Sequence, residues 1–289
     1  MNSSNDSTPV TIGAALKAAE KRLSDSSDSA AIDARALMEH VTGYDHADLI
    51  RKDKQPLSDS QQSLFDELVA MRESGAPIAY ITGQREFWSM NFLVTPDTLI
   101  PRPETEILVE QALLRIPERS DATIADLGTG SGAIALAIAY ERPHARVIAT
   151  DASHLALETA RVNEERLGIG NIELRLGHWL NALGQDQCDV IVSNPPYIQE
   201  GDPHLAQGDV RYEPVSALVS GGDGLDAIRE IISEATTHFK PGGWLLLEHG
   251  YNQGEAVQGL MQSLGFGGVE TVGDLAGQDR VTLGQWNVR

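Results

Sequence analysis

Up to residue 75, apolar side chains recur at a helical spacing; after residue 120 they gather into short continuous runs. Ile12, Leu16, Ala19 and Leu23 fall on one stripe of a 3.6-residue repeat, which predicts a helix over 12–23. Ser24-Asp25-Ser26-Ser27-Asp28-Ser29 is rich in capping and turn residues and reads as a loop. A second amphipathic helix is predicted over 30–41, stopped by Thr42-Gly43. A third covers 59–74, stopped by Gly75 with Pro77 beyond it. Three such stripes make a small helical bundle, whose apolar faces read as core before they read as a partner groove.

Residues 78–103 change character. Arg85 to Val94 carries aromatic and branched residues suited to a β-hairpin, and Leu99-Ile100-Pro101-Arg102 then leads into a helix with Pro103 and Glu104 in its first turn. From Asp121 onward strand patterns at 122–126, 146–150, 171–175, 188–193, 243–248 and 280–286 alternate with helix patterns at 131–140, 153–167, 223–238 and 254–264. That alternation predicts an α/β fold with a mostly parallel sheet covered on both faces. Residues 199–222 lack periodicity, and a loop of that length inside a compact domain marks a lid or a binding segment. The chain therefore divides into a helical bundle (1–77), a hairpin linker (78–103) and an α/β domain (104–289).

Two strand ends carry the candidate chemistry. The run Thr123 to Leu127 is followed by Gly128-Thr129-Gly130-Ser131-Gly132 and an apolar helix, an arrangement that lets backbone approach a ligand closely at a helix start. The spacing G-x-G-x-G departs from the dinucleotide fingerprint G-x-G-x-x-G. It also lacks the Gly-Lys-Ser/Thr ending of a P-loop, and Thr129 stands where a nucleophile elbow needs glycine. The next strand ends in Asp151, placed to accept both hydroxyls of a bound ribose. Further on, Cys188 to Ser193 reads as a buried strand ending in Asn194-Pro195-Pro196-Tyr197. Two prolines hold that corner extended and remove two N–H groups, so carbonyl oxygens point outward beside the Asn194 amide. Acceptors for an NH2 group next to the flat Tyr197 ring suit a planar nitrogen about to be alkylated. With the glycine loop upstream, the pattern points to an S-adenosylmethionine-dependent methyltransferase acting on such a nitrogen.

Charge narrows the substrate. With 42 acidic against 22 basic residues the net charge is −20, which repels nucleic acid, and no Lys/Arg cluster offers a local basic footprint. A protein or small molecule is the expected substrate. The lone Cys188 excludes internal disulfides and reads as an inert buried thiol. No run is long and apolar enough for a membrane span, and the polar, acidic first ten residues fit neither a signal nor a transit peptide, so a reducing cytoplasm is expected. The eight histidines and the cysteine show no metal-ligand spacing, and no metal is expected. Glu104 and Glu106 read as an exposed helical turn. Arg102 is open between a structural ion pair and a steering role, and neither Glu248 nor His249 is assigned to chemistry.

Taken together these residues resemble the release-factor glutamine methyltransferase family, known as PrmC or HemK. The resemblance runs from Pro77-Ile78-Ala79-Tyr80-Ile81-Thr82-Gly83 through Leu99-Ile100-Pro101-Arg102-Pro103-Glu104-Thr105-Glu106, the glycine loop, Asp151 and Asn194 to Tyr197. It continues through Arg211-Tyr212-Glu213-Pro214, Gly221 to Leu225 and Glu248-His249-Gly250, and ends at Gly277-Gln278-Asp279-Arg280. Asn-Pro-Pro-Tyr alone is shared with adenine and guanine amino-methyltransferases; the Ile-Pro-Arg-Pro-Glu-Thr-Glu segment is far more selective.

The resemblance implies a helical bundle that docks the substrate, a hairpin linker and a Rossmann-like seven-stranded class I methyltransferase domain of bacterial cytoplasm. It implies methylation of the glutamine side-chain amide in the Gly-Gly-Gln motif of class I peptide chain release factors, with S-adenosylhomocysteine as coproduct. By position, Gly128, Thr129, Gly130, Ser131 and Gly132 would wrap the methionine part of the cofactor. Asp151 would hold its ribose, and Trp179 would pack on its adenine. Asn194, Pro195, Pro196 and Tyr197 would hold the glutamine, with Asn194 also bordering the cofactor and Asn194, Pro195 and Tyr197 carrying catalysis. One departure is visible: His178 stands where members often carry an acid that could accept from the adenine amino group. Two other readings are an amino-methyltransferase of nucleic acid, which would need a basic groove, and a non-catalytic module that binds translation factors.

Overall fold

The computed structural model describes residues 9–287, so the polar start read above as free of a targeting signal lies outside the described residues apart from Pro9 and Val10. Among the described residues no helix is long and apolar enough to cross a membrane. The described residues form two compact units, 9–83 with 207–212, and 84–206 with 213–287.

The first unit is helical: α1 (Ile12–Leu23), α2 (Ala30–Thr42), α3 (His46–Arg51), α4 (Asp59–Glu73) and α5 (Ile78–Thr82). The Thr11 hydroxyl caps α1, and Ser58 with Gln61 closes a capping box on α4. Gly43, at φ 70°, ends α2 in the left-handed conformation that a Cβ would resist. Leu23, Leu37, Met38, Phe65 and Val69 form its core. Arg72 is buried beside this core, where its Nε donates to Asp33 Oδ2 and its Nη1 to Asp209 Oδ1, each at 2.7 Å. A buried guanidinium must be paired on more than one edge to offset its desolvation. The short helices α3 and α5 carry too few turns for a periodic signal, and 78–82, expected at the start of the linker, is helical.

The second unit opens with the expected hairpin, β1 (Gln84–Phe87) paired antiparallel with β2 (Met90–Leu93). Its turn residues Trp88 and Ser89 both lie at positive φ, 53° and 56°, with no glycine to ease them. Three contacts hold them there: Trp88 N–H donates to Glu106 Oε1, Trp88 Nε1 to Glu141 Oε1, and Ser89 N–H to Glu86 Oε1, at 2.7–2.9 Å.

Then follow α6 (Glu106–Leu113), β3 (Thr123–Leu127), α7 (Ala133–Glu141), β4 (Arg146–Asp151), α8 (His154–Leu167), β5 (Ile172–Leu176), β6 (Cys188–Ser193), α9 (Asp226–Ala235), β7 (Phe239–Glu248), α10 (Gly254–Ser263), β8 (Phe266–Gly273) and β9 (Asp279–Trp286). The strands form one seven-stranded sheet in the order β5-β4-β3-β6-β7-β9-β8, parallel except where β9 meets β7 and β8. The expected α/β architecture is present, including β8, which the hydrophobic pattern does not locate. Gly267, Gly268 and Gly273 interrupt that strand, and two register shifts break its alternation.

Alternation on the central strands splits the core in two. Ile124, Val190 and Val192 face a cluster with α6 and α7, whereas Ala125, Leu127, Ile191 and Leu245 face one with α9 and α10. Residues Ala133 to Ala139 of α7 are buried on every side, which is why that helix reads as uniformly apolar. Cys188 is fully buried, and burial pushes its thiol up to about 12, so it is an inert core side chain.

Asn163, on α8, ties the hairpin to the glycine loop. Its Oδ1 accepts from Leu93 N–H at 2.7 Å, and its Nδ2 donates to the carbonyls of Leu93 and Ser131 at 2.9 and 2.8 Å. Replacement by alanine orphans three backbone groups at a fully buried site. Asn163→Ala is expected to cost about 2–4 kcal/mol of unfolding free energy, read from the urea midpoint of the whole chain. An unchanged midpoint would show that the tie contributes nothing.

Candidate active site

In an open α/β sheet the ligand crevice lies where consecutive connections leave in opposite directions. Here that point falls between β3 and β6: the chain runs from β3 outward through β4 and β5, then returns to β6 on the other side. Leu127 stands opposite Ser193 in the ladder, and the Ser193 hydroxyl donates to the Leu127 carbonyl at 2.7 Å. The next residues, Gly128 and Asn194, therefore start their loops one strand spacing apart, roughly 4.8 Å. A cavity of about 500 Å³ opens there, with Gly128, Thr129, Asp151, Trp179, Asn194 and Pro196 in its wall.

The glycine loop is held from below and from the side. Gly128 and Thr129 N–H both donate to the Thr150 carbonyl at 2.9 Å. Gly128 sits at φ 73°, and a Cβ there would lie 3.0 Å from the Trp179 ring, so this floor position admits no side chain. Gly132 does not line the cavity; a Cβ on it would press on Leu136 and Ala160, so it serves the packing of α7 against α8. Thr129 donates from its hydroxyl to the fully buried Asp126 at 2.6 Å. Burial pushes the Asp126 carboxyl up to about 7, against the lowering effect of the Thr129 hydroxyl and the Ala135 N–H.

Asp151 ends β4 and faces the cavity. Burial raises its carboxyl above the ordinary range, opposed by backbone N–H groups of Ser153, Gly130 and Ala152. Gly130 N–H donates to Oδ2 at 2.9 Å and Ser153 N–H to Oδ1 at 2.8 Å. Each oxygen keeps a further lone pair, so the carboxylate is pre-aimed and still has capacity for two hydroxyls of a vicinal diol. These groups fit a nucleoside-bearing cofactor. Trp179 is half-buried, with His178 edge-on to it at 5.3 Å between ring centres, and His178 Nδ1 lies 3.3 Å from Glu230 Oε1. A carboxylate is thus present beside His178, contributed by α9 rather than by the neighbouring position in sequence.

Past β6 the four corner residues take different places. Asn194 and Pro196 border the cavity, while Pro195 is buried and Tyr197 does not line it. The Tyr197 ring packs on the α9/α10 core, its carbonyl accepts from Gln253 Nε2 at 3.0 Å, and burial raises its phenol. Asn194 Nδ2 donates to Thr105 Oγ1 at 3.3 Å.

Arg102 lines the cavity and pairs with Glu213, whose side chain is fully buried and whose Oε2 also accepts from Ile100 N–H at 3.1 Å. The segment Ile100–Arg102 is thereby fastened to the loop that follows β6, so Arg102 has a structural ion pair. Glu104 is exposed; Glu106 supports the hairpin turn. His249 is a satisfied core histidine, bonded to the Gly250 carbonyl at 2.9 Å and the Thr282 hydroxyl at 2.7 Å. Thr105, Glu213 and Glu248 were not among the expected site residues, although each lies in a segment that carries the family resemblance.

A family model described as the PrmC N-terminal domain matches residues 14–83, and one described as the methyltransferase small domain matches 104–223. The release factor glutamine methyltransferase of Xylella fastidiosa is 51% identical over 254 residues, 88% of this chain and 92% of its own. That of Escherichia coli (strain K12) is 48% identical over 260 residues, 90% of this chain and 94% of its own. The chain belongs to the release factor glutamine methyltransferase family. A methyltransferase structure from Pyrococcus furiosus, 18% identical with a TM-score of 0.53, covers 77% of this chain and 98% of its own, and shows the shared fold. The methyl donor of the family is S-adenosylmethionine.

Loss of the Asp151 carboxylate removes an acceptor whose bonds are worth roughly 1.5–3 kcal/mol each, so Asp151→Ala is expected to raise the S-adenosylmethionine Kd by about 10–100-fold in calorimetry. An unchanged Kd would take Asp151 out of the site.

Proposed function

We propose that this protein methylates the side-chain amide nitrogen of the glutamine in the Gly-Gly-Gln motif of class I peptide chain release factors. The observation that carries the reading is the β3–β6 register, which brings the glycine loop and Asn194 to one cavity. Identity of about half over most of the chain with relatives of that name supports the substrate.

Gly128 to Ser131, Asp151 and Trp179 would hold S-adenosylmethionine. When bound, it supplies a methyl group activated by a sulfonium, leaving S-adenosylhomocysteine. The chain's own task lies with the acceptor, because an amide nitrogen is a poor nucleophile with its lone pair delocalised into the carbonyl. The Asn194 side-chain oxygen and the Pro195 carbonyl each accept one amide hydrogen, which turns the nitrogen lone pair toward the methyl. Pro196 stiffens the corner, and Tyr197, its ring packed on the α9/α10 core, anchors it from behind rather than covering the amide as the sequence leads us to expect. Orientation of this kind is worth roughly 7–11 kcal/mol over free encounter. A neutral thioether leaves and the extra proton passes to solvent after transfer, so neither a strong base nor a metal is required.

The helical unit would dock the release factor. A net charge of −20 favours a basic protein partner over nucleic acid, and the expected place of work is the bacterial cytoplasm.

Asn194→Ala is expected to lower turnover by about 10²–10³, the cost of losing one preorganised polar contact, with a smaller change in cofactor affinity. Radiolabelled methyl transfer to release factor, DNA and rRNA in parallel checks both role and substrate. Label on nucleic acid alone would replace the proposed substrate, and wild-type turnover in the variant would dismiss Asn194.

A further inference from the structure

The strand-end row does not stop at Asn194. Ser193 of β6 stands opposite Leu247 of β7, so the next residue of β7, Glu248, ends its strand beside Asn194. Glu248 is 2% exposed, and its Oε2 has no hydrogen-bond partner. The buried Thr105 hydroxyl lies close enough to the Glu248 carboxyl to favour its charged form, and the same Thr105 Oγ1 accepts from Asn194 Nδ2 at 3.3 Å. A half-buried asparagine, a buried hydroxyl and a buried acid thus form a continuous line leading back from the cavity wall.

The polarity of that line is set by counting protons. A carboxylate only accepts, so toward an ionised Glu248 the Thr105 hydroxyl can only donate, and that uses its single proton. The threonine then offers Asn194 nothing but a lone pair, which only the NH2 end of the carboxamide can use. The oxygen end is left as the group available to the cavity. We propose that Thr105 and Glu248 are positioning residues which fix the Asn194 carboxamide the right way round, with Oδ1 toward the amide hydrogens of the substrate. This rests on the role given to Asn194 above. Were the carboxamide reversed, its own NH2 would face the substrate NH2, two donors with nothing to accept.

Ionisation of Glu248 is what holds the line in this sense. Arg280 and Arg102 favour its carboxylate, Glu104 opposes it, and the buried Tyr197 phenol faces it as a neutral group. The neighbouring His249 is turned to Gly250 and Thr282 instead. Burial outweighs the two arginines and pushes the Glu248 carboxyl up to about 7. Below that pH a protonated Glu248 can donate to Thr105, which frees the threonine proton for Asn194 Oδ1 and lets the carboxamide reverse. The oriented form is therefore gained as pH rises through about 7 and lost as it falls.

The test compares Thr105→Val, Thr105→Ser, Glu248→Gln and Asn194→Ala in release-factor methylation across a pH series, with S-adenosylmethionine binding followed by calorimetry. Thr105→Val is expected to lower kcat about 10–100-fold with little change in cofactor Kd, and Thr105→Ser to restore most of it. Wild-type kcat is expected to fall roughly tenfold per pH unit below 7, a limb that Glu248→Gln flattens. If the glutamine variant does not fold, the valine–serine pair still decides. Wild-type kcat in Thr105→Val beside an impaired Asn194→Ala, or an acid limb that survives in Glu248→Gln, would overturn the relay. Wild-type kcat in Asn194→Ala would instead remove the role of Asn194 itself.

Discussion

The parallel pairing of β3 with β6, with Leu127 opposite Ser193, decides where two loops distant in sequence come to lie. A slip of one residue would turn every side chain of β6 to the other face and lift Asn194 out of line with the glycine loop. Val190, Ile191 and Val192 resist that slip because they are buried on both faces, in two separate apolar clusters. The precision of the site is inherited from the core, through a hydrogen bond between the last residues of two strands.

On that base the cavity is built from groups whose freedom has already been spent. Asp151 is held by N–H groups on both oxygens, the glycine loop hangs from the Thr150 carbonyl, and Arg102 is fastened through Glu213. Buried acids recur at the ends of the central strands: Asp126 near the end of β3 and Glu248 at the end of β7, each with a threonine hydroxyl favouring its charge and each pushed up to about 7 by burial. Such groups are costly to bury, and their place beside the crevice is where a fold trades stability for orientation.

Much of this was legible in the chain. The long helices and the central strands announce themselves because their apolar periods are uninterrupted, and the glycine loop, Asp151 and Asn194 follow from where those strands stop. What escaped had physical reasons. Strand β8 is broken by glycines and bulges; α3 and α5 are too short to show a period. The hairpin turn uses Trp88 and Ser89 in a conformation usually given to glycine or asparagine, and it is held by Glu106 and Glu141, which nothing local predicts. Asn163 reads as an ordinary polar helix residue until its three backbone partners are known. Thr105 and Glu248 meet only because α6 and β7 converge beside β6, a fact of tertiary structure.

The helical unit is discontinuous, since residues 207–212 belong to it and Asp209 supplies half the counter-charge of Arg72. A fragment cut after Gly83 would keep every helix yet leave a desolvated guanidinium short of a partner. Grafting this bundle onto another scaffold, or tracing its inheritance separately, requires carrying residues 207–212 with it.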